Sequence, residues 1–205
     1  MGTASSSRHG LTRKGQKTRQ RIVDAAAGLI FVRGVAQTTI EDVREAANVS
    51  SSQLYHYFDD KPALVRAVVD HQADVMVGVQ GTFDFATLEG LRGWRDWMIE
   101  RQREVDGVGG CPIGSLGSAL AETDPEARVC VAEAFKRWEA TVHNGFREMH
   151  ARGRLTPDTD PDSLALALLA ALQGGLLLSQ IQRNTKPLEA ALDAMLELVA
   201  RLGVS

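Results

Sequence analysis

Cysteine, proline and aromatic residues are all scarce in this chain of 205 residues. It contains two cysteines, Cys111 and Cys130, six prolines, and 5% aromatic residues. Two cysteines make no disulfide framework, so we expect a protein of the reducing cytoplasm. Several prolines stand where helices are expected to begin, and runs of β-branched residues are few. These scarcities favour an all-α fold.

Segments that would point to secretion, a membrane or an enzyme are also missing. The N-terminus lacks the apolar core of a signal peptide. The longest apolar run, residues 164–178, falls short of the ~20 residues that a bilayer span needs, and it predicts a helix buried between helices or in a subunit interface. We find no metal-spaced His/Cys cluster, phosphate loop or nucleophile elbow. We therefore expect no catalysis, no metal, no other cofactor and no membrane partner.

Positive charge is concentrated at the N-terminus, although the whole chain has a net charge of −3. Residues 1–23 carry six lysines and arginines, from Arg8 to Arg21, and no acid. The remainder is therefore strongly acidic. A basic end on an acidic body predicts that this end meets phosphate, with a merely solvated tail as the alternative. We expect residues 1–13 to form a flexible basic arm.

Apolar residues recur at helical spacing along the chain and predict about nine helices, with no competing strand pattern. The longer helices are expected at about residues 17–33, 61–80, 86–105, 112–121, 125–152, 161–183 and 187–202. A break at residues 81–85 separates two predicted domains. Residues 14–80 would bind DNA, and residues 81–205 would bind a ligand and dimerise.

Two short helices follow the first long one and are joined by the turn Ala47-Asn48-Val49. The second helix begins after Thr38 or Thr39, and the third is capped by Ser50. Asn48 tolerates a positive φ, and Gly34 is expected to end the first helix in a left-handed conformation. Two short helices with a tight turn are the minimum device for presenting one helix to the major groove of DNA.

The third helix carries the residues best suited to reading bases. Gln53 can pair bidentately with adenine, and serine, tyrosine and histidine side chains can reach base edges or phosphates. Leu54 is the inward anchor, and Tyr57 or Phe58 is expected to pack against the first helix. The alternative is an ordinary solvated face. The candidate DNA contacts are Lys17, Thr38, Thr39, Ser50, Ser51, Ser52, Gln53, Tyr55, His56, Tyr57 and Lys61.

Four runs in this region stand at fixed spacings: residues 18–26 (TRQRIVDAA), Gly34 with 38–43 (TTIEDV), 47–50 (ANVS) and 54–61 (LYHYFDDK). Together they closely resemble the DNA-binding domain of the TetR family of bacterial transcriptional regulators, over residues 16–74. Asn48 replaces the usual glycine, and Ser51-Ser52 replaces a basic residue followed by a small one. The resemblance implies a homodimeric repressor that places helix 3 of each subunit in a major groove of a palindromic operator. It also implies that a ligand in the C-terminal domain sets the separation of the two reading heads.

The C-terminal region holds a candidate ligand site, since aromatic walls with a few polar anchors are typical of small-molecule sites. The alternative is plain core. The candidates are Trp94, Trp97, Met98, Gln102, Cys111, Phe135, Trp138, Gln173 and Leu177. Residues 110–116 (GCPIGSL), 135–139 (FKRWE) and 171–176 (ALQGGL) resemble the ligand domain of the LmrA/YxaF branch of the family, which implies an aromatic or hydrophobic ligand.

Two alternatives to this ligand-released repressor stay open. One is a ligand-independent DNA-binding protein. The other is a thiol or electrophile sensor, because a helix N-terminus at Cys111 would lower its pKa and favour reactivity. The last two helices, whose leucines give more apolar surface than one small domain needs, are the expected dimer interface.

Overall fold

The computed structural model describes residues 11–204, and this part of the chain forms nine α-helices. The helices are α1 (Arg13–Gln37), α2 (Ile40–Ala46), α3 (Ser51–Tyr57), α4 (Lys61–Gln80), α5 (Leu88–Glu104), α6 (Pro112–Leu120), α7 (Pro125–Ala151), α8 (Pro161–Gln182) and α9 (Lys186–Leu202). Within the described range there is no strand, only an isolated antiparallel bridge between Leu155 and Gly203. The all-α prediction is confirmed.

Helix starts follow local capping chemistry. Thr39 and Ser50 each form a capping box, and the carboxylate of Asp60 accepts a hydrogen bond from the Ala63 amide at the start of α4. Proline occupies the first turn of each of the last four helices, α6 to α9. A missing N–H costs little there, because the first amides of a helix have no partner within it.

The first helix differs from its predicted bounds at both ends. It begins at Arg13, four residues early, because the Thr12 side chain accepts a hydrogen bond from the Gly15 amide and caps it. Gly34 has φ 78° and ψ 165°, an extended conformation that is essentially restricted to glycine and differs from the expected left-handed helical cap, and one more turn follows it to Gln37. Arg13, predicted as the last residue of the flexible basic arm, thus lies in the helix. Residues 1–10, including Arg8, lie outside the described range.

The chain divides into two compact units, one ending at Val68 and one starting at Val69, so the division falls inside α4. The domain boundary predicted between residues 80 and 81 coincides with the end of that helix and stays a prediction. The core of the first unit contains Ile22, Val23, Ala26, Val43, Leu54 and Phe58. The core of the second contains Trp94, Ile99, Ile113, Trp138, Phe146, Leu168, Leu172, Leu188 and Leu192.

One described helix, α8, is long and apolar enough to cross a bilayer, with 22 residues. The expectation that this segment is too short is therefore wrong about its length. One face of α8 is buried inside the second unit, where the helix packs against α7 and α9. The buried face is formed by Leu164, Leu168, Leu172 and Leu176. The helix thus has a place in the core, as the sequence predicted.

Candidate nucleic-acid interface and ligand site

The helix α3 is fixed to the first unit through its inner side and its N-terminal cap. The Leu54 side chain is fully buried, and Phe58, just past the helix, is nearly so. The Ser50 hydroxyl accepts a hydrogen bond from the Gln53 amide, and Gln53 Oε1 accepts one from the Ser50 amide. A helix of seven residues has little stability of its own, so these contacts set its position.

The opposite side of α3 is polar and open to solvent. Ser51, Ser52, Tyr55 and His56 are all exposed, and Tyr55 keeps 51% of its surface accessible. At 100° per residue their side chains fall within an arc of about 140°. This single exposed arc is the arrangement that a groove-reading helix needs.

The phenylalanine and tyrosine that end α3 both face α1. The Arg19 guanidinium lies over the Phe58 ring, 5.2 Å from its centre. Tyr57 is half-buried, and its hydroxyl would lie 3.3 Å from a methyl group at Gly15. The expectation that this pair packs against the first helix is confirmed. Arg19 was missed as its partner, although an arginine one turn before the buried stripe of α1 is a recognisable signal.

Four residues predicted to contact DNA have side chains that are hydrogen-bonded within the protein. Thr38 is buried, and its hydroxyl donates to the Gly34 carbonyl at 2.8 Å. Thr39 donates to Asp42 at 2.7 Å, and hydrogen bonds from Thr39 hold the pKa of that carboxyl below its usual range. Lys61 Nζ donates to the Val35 carbonyl at 2.7 Å. The side-chain oxygen of Gln53 accepts a hydrogen bond from the Ser50 amide at the start of α3.

These four side chains form hydrogen bonds with backbone groups at helix ends, whereas the sequence pattern assigned them to DNA. Thr38 and Lys61 bond carbonyls near the end of α1. Thr39 accepts a hydrogen bond from the Asp42 amide in the first turn of α2, and Gln53 accepts one from the amide of Ser50, the cap residue of α3. The prediction is wrong for Thr38, because its buried hydroxyl is not available to phosphate. Lys17 is exposed on α1, and Ser50 is exposed at its cap position. For the other residues, Lys17, Thr39, Ser50, Gln53 and Lys61, a DNA contact stays a prediction.

The predicted ligand residues fall into two places. Trp94, Met98, Gln102 and Trp138 are buried in the second unit. Phe135 stacks on Trp138 with ring centres 6.1 Å apart, and the partly exposed Trp97 lies 6.2 Å from Phe83. The other three residues line an open cleft. The residues expected to form one ligand site therefore lie in two places, the interior of the second unit and the cleft.

The cleft lies between α6 and α8 and has a volume of about 480 Å³. From α8 it is lined at positions i, i+4 and i+7 by Gln173, Leu177 and Gln180. No lining residue carries a charge. The α6 side contributes Cys111, Gly114, Ser115, Ser118 and Ala119. The lining is suited to a small uncharged molecule.

Cys111 is the N-cap residue of α6, and its Sγ accepts a hydrogen bond from the Gly114 amide at 3.2 Å. Burial raises the pKa of the thiol, and the hydrogen bond from the Gly114 amide opposes this only in part. The expectation of a lowered pKa at this helix end is therefore wrong in direction. Desolvation of the thiolate outweighs the favourable helix terminus.

Several buried polar atoms of the second unit have no hydrogen-bond partner among the described residues. They are Trp94 Nε1, Gln102 Oε1, Trp138 Nε1, Gln173 Nε2 and both side-chain amide atoms of Gln80. Sequence reasoning missed Gln80. A signal existed, since it continues the inward stripe of α4 after Val69 and Ala73, both fully buried. A polar residue at such a position requires a partner or a function.

The first unit, with an exposed short helix after a tight turn, defines a helix-turn-helix DNA-binding protein with an all-α second unit. Residues 22–68 match the family "Bacterial regulatory proteins, tetR family", and residues 88–195, more than half of the chain, match "Tetracyclin repressor-like, C-terminal domain". The chain belongs to the TetR family of bacterial transcriptional regulators. It is a DNA-binding transcriptional regulator of this type.

Individual relatives agree along nearly the whole chain. The transcriptional repressor DhaR of Mycobacterium sp. strain GP1 is 26% identical, over 87% of this chain and 90% of its own. A TetR regulator structure from Chloroflexus aurantiacus has a TM-score of 0.77 at 28% identity, covering 94% and 98%. A TetR-family structure from Cytophaga hutchinsonii shares the fold, with a TM-score of 0.81 at 23% identity, covering 96% and 100%. These matches do not confirm the LmrA/YxaF branch.

Proposed function

We propose that this regulator is a cytoplasmic repressor that binds a palindromic operator as a homodimer and is released by a small aromatic or hydrophobic ligand. The observation that carries the DNA-binding part is the exposed arc of Ser51, Ser52, Tyr55 and His56 on a helix whose other side is buried. These four residues read base edges and phosphates. Lys17 on α1 adds a phosphate contact on the flank.

The dimer forms through the outer face of α8. Leu166, Leu177 and Ile181 keep 57%, 56% and 68% of their surface exposed. Ala170 and Gly174 lie between them at helical spacing, and nothing lies within 4 Å of a methyl group at Gly174. Small residues between large apolar ones let a second α8 approach closely. Such a stripe is costly in water and supports a two-fold interface, with α9 beside it.

The ligand enters through the cleft between α6 and α8. Gln173 marks the passage, because it lines the cleft while its Nε2 is buried and lacks a partner among the described residues. The buried Trp94, Gln102 and Trp138 of the same unit also have polar atoms that lack partners among the described residues. A ligand that forms hydrogen bonds with these atoms in only one conformation of the dimer stabilises that conformation. If the two α3 helices of this conformation do not match the operator, ligand binding releases the DNA.

The test is operator binding by fluorescence anisotropy, using DNA selected from a random pool by the wild-type protein. Tyr55→Ala should weaken binding about tenfold or more, since a base or phosphate contact is lost without a buried group being disturbed. Val32→Ala, at another exposed position of the same unit, should bind like the wild type. Equal binding by Tyr55→Ala would remove α3 from the interface.

A thiol-sensing function is the second candidate, because Cys111 lines the cleft. In this case a thiol-reactive compound such as N-ethylmaleimide releases the operator from the wild type but not from Cys111→Ser. If Cys111→Ser and the wild type respond alike, Cys111 is not the sensor. A protein that no compound releases would be the ligand-independent DNA-binding protein.

A further inference from the structure

Gln80 combines complete burial with an amide that has no partner. It is the last residue of α4, its side chain is 0% exposed, and neither Nε2 nor Oε1 has a hydrogen-bond partner among the described residues. Burying an amide without hydrogen bonds is unfavourable, and leucine or methionine would fill the same space without that cost. A glutamine here is therefore explained best by a hydrogen-bonding partner that arrives from outside.

Two phenylalanines follow Gln80 closely along the chain and pack inside the second unit. The turn after Gln80 places Phe83 on Trp97 and Phe85 on Trp94, with ring centres 6.2 and 5.5 Å apart. Phe85 also lies against Gly145 of α7, where a methyl group would be 2.4 Å from the Phe85 Cβ. Trp138 precedes Gly145 by two turns on the same face of α7. The segment that follows α4 thus packs against tryptophans of α5 and against Gly145 of α7.

We propose that Gln80 is the hydrogen-bonding anchor of the ligand site and that the ligand is a flat, uncharged molecule presenting a donor and an acceptor side by side. The proposal rests on the ligand response proposed above. The amide of Gln80 offers one donor and one acceptor on the same edge, which a lactam edge complements with two parallel hydrogen bonds. The indole rings of Trp94 and Trp138 provide flat apolar faces and further N–H donors.

The electrostatics of the interior explain why the ligand is uncharged. No Asp, Glu, Lys or Arg is buried anywhere in residues 11–204; the buried polar side chains are Thr38, Gln80, Gln102, Thr159 and Ser179. An ion drawn into this interior would lose its hydration without gaining a counter-charge. Neutral donors and acceptors avoid that penalty.

The position of Gln80 also explains how binding is transmitted. The helix α4 begins at Lys61 in the first unit and ends at Gln80 in the second. A ligand bonded to Gln80 therefore acts directly on an element that both units share. No separate relay through the side chains of the second unit is needed.

Three probes of similar size test the proposal. Quinolin-2-one presents the lactam edge, 2-methoxyquinoline keeps the ring system but lacks the N–H, and 2-naphthoate carries a charge. Their affinities are measured by quenching of tryptophan fluorescence in the full-length wild type, in Gln80→Met and in the control Gln182→Met, which changes an exposed glutamine of α8. The wild type and the control should bind quinolin-2-one about tenfold more tightly than 2-methoxyquinoline. In Gln80→Met this ratio should fall to about one, and 2-naphthoate should bind weakest throughout.

Thermal unfolding without any probe provides the second readout. Gln80→Met should melt at or above the temperature of the wild type, because a buried unpaired amide is replaced by an apolar side chain of similar size. A lower melting temperature would show that the amide has a structural partner and would overturn the proposal. An unchanged probe ratio in Gln80→Met would overturn the role of Gln80 alone, and preferred binding of 2-naphthoate would overturn the uncharged class. If the wild type binds none of the probes, the anchor proposal fails, while operator binding and release by other compounds remain open to their own test.

Discussion

Some residues of this protein stabilise a helix end at a position where we also propose a contact with DNA or a ligand. Gln53 is the clearest case, since its side-chain oxygen caps α3 and the residue stands on the helix proposed to meet DNA. An alanine substitution at Gln53 removes both roles at once. The two roles can be separated only by a side chain that keeps the cap.

Gln53→Glu should separate them. Glutamate keeps the capping box and is favoured near a helix N-terminus, so the free energy of unfolding should stay within about 0.5 kcal/mol of the wild type. Operator affinity should fall at least tenfold, because the new charge faces phosphates. Gln53→Ala should lose about 0.5–2 kcal/mol of stability. Chemical unfolding and anisotropy measure the two effects, and undiminished operator binding by Gln53→Glu would place this residue away from the DNA.

Cys111 gives a pH-dependent prediction. Its folded-state pKa is raised above the usual thiol value of 9.0, mainly by burial. As pH rises above 9.0, the unfolded chain releases this proton while the native state retains it, so native stability falls, by at most about 1.4 kcal/mol per pH unit. Cys111→Ser keeps a capping oxygen but does not titrate there. Urea unfolding at pH 8 and pH 10 should show a smaller loss for Cys111→Ser than for the wild type, and equal losses in the two proteins would contradict the prediction.

At the scale of elements, the helix starts were predictable and the partners of their polar side chains were not. Pro112, Pro125 and Pro161 predict the starts of three helices from local sequence alone. Asn48 predicts the turn, where it adopts φ 48°. The contact from Lys61 to Val35 joins residues 26 positions apart, which spacing cannot reveal. The sequence pattern likewise identified the polar face of α3. It did not separate interior tryptophans from cleft residues, because both occur on apolar stripes.

The packing of α7 depends on Gly145. A methyl group there would lie 2.5 Å from the carbonyl carbon of Phe85, closer than packing permits. Gly145→Ala should therefore lower the free energy of unfolding by about 1–3 kcal/mol or more. Gly78→Ala is the matched control, because nothing lies within 4 Å of its new methyl group and alanine favours a helix. Thermal unfolding compares them, and equal stability of the two variants would contradict the packing described for α7.

At the scale of the whole molecule, α8 is apolar on two sides for two reasons. One side fills the core of the second unit, and the other is the proposed contact with a second copy. Length and composition alone would also suit a bilayer span. The contacts of α8 with α7 and α9 place its leucine face in the core of the second unit, and the exposed stripe of Leu166, Leu177 and Ile181 is the side proposed for the second copy.

Ile181→Lys should disrupt the dimer, because a charge replaces the most exposed large apolar residue of α8. Val129→Lys, on α7, makes the same change at an exposed position outside the stripe. Sedimentation velocity should show a monomer for Ile181→Lys and a dimer for Val129→Lys and the wild type. The monomer should bind the operator at least 100-fold more weakly than the dimer, since it contacts only one of the two half-sites. A dimeric Ile181→Lys would move the interface elsewhere.

The central claim is that two copies of α3 read DNA from one dimer. Sequence selection from a random double-stranded DNA pool tests it most directly. We predict that the wild-type protein enriches a two-fold symmetric site with half-sites about one helical turn, ~34 Å, apart, and that Tyr55→Ala enriches no such site. Enrichment of no symmetric sequence by the wild type, or of the same site by Tyr55→Ala with equal affinity, would contradict the account.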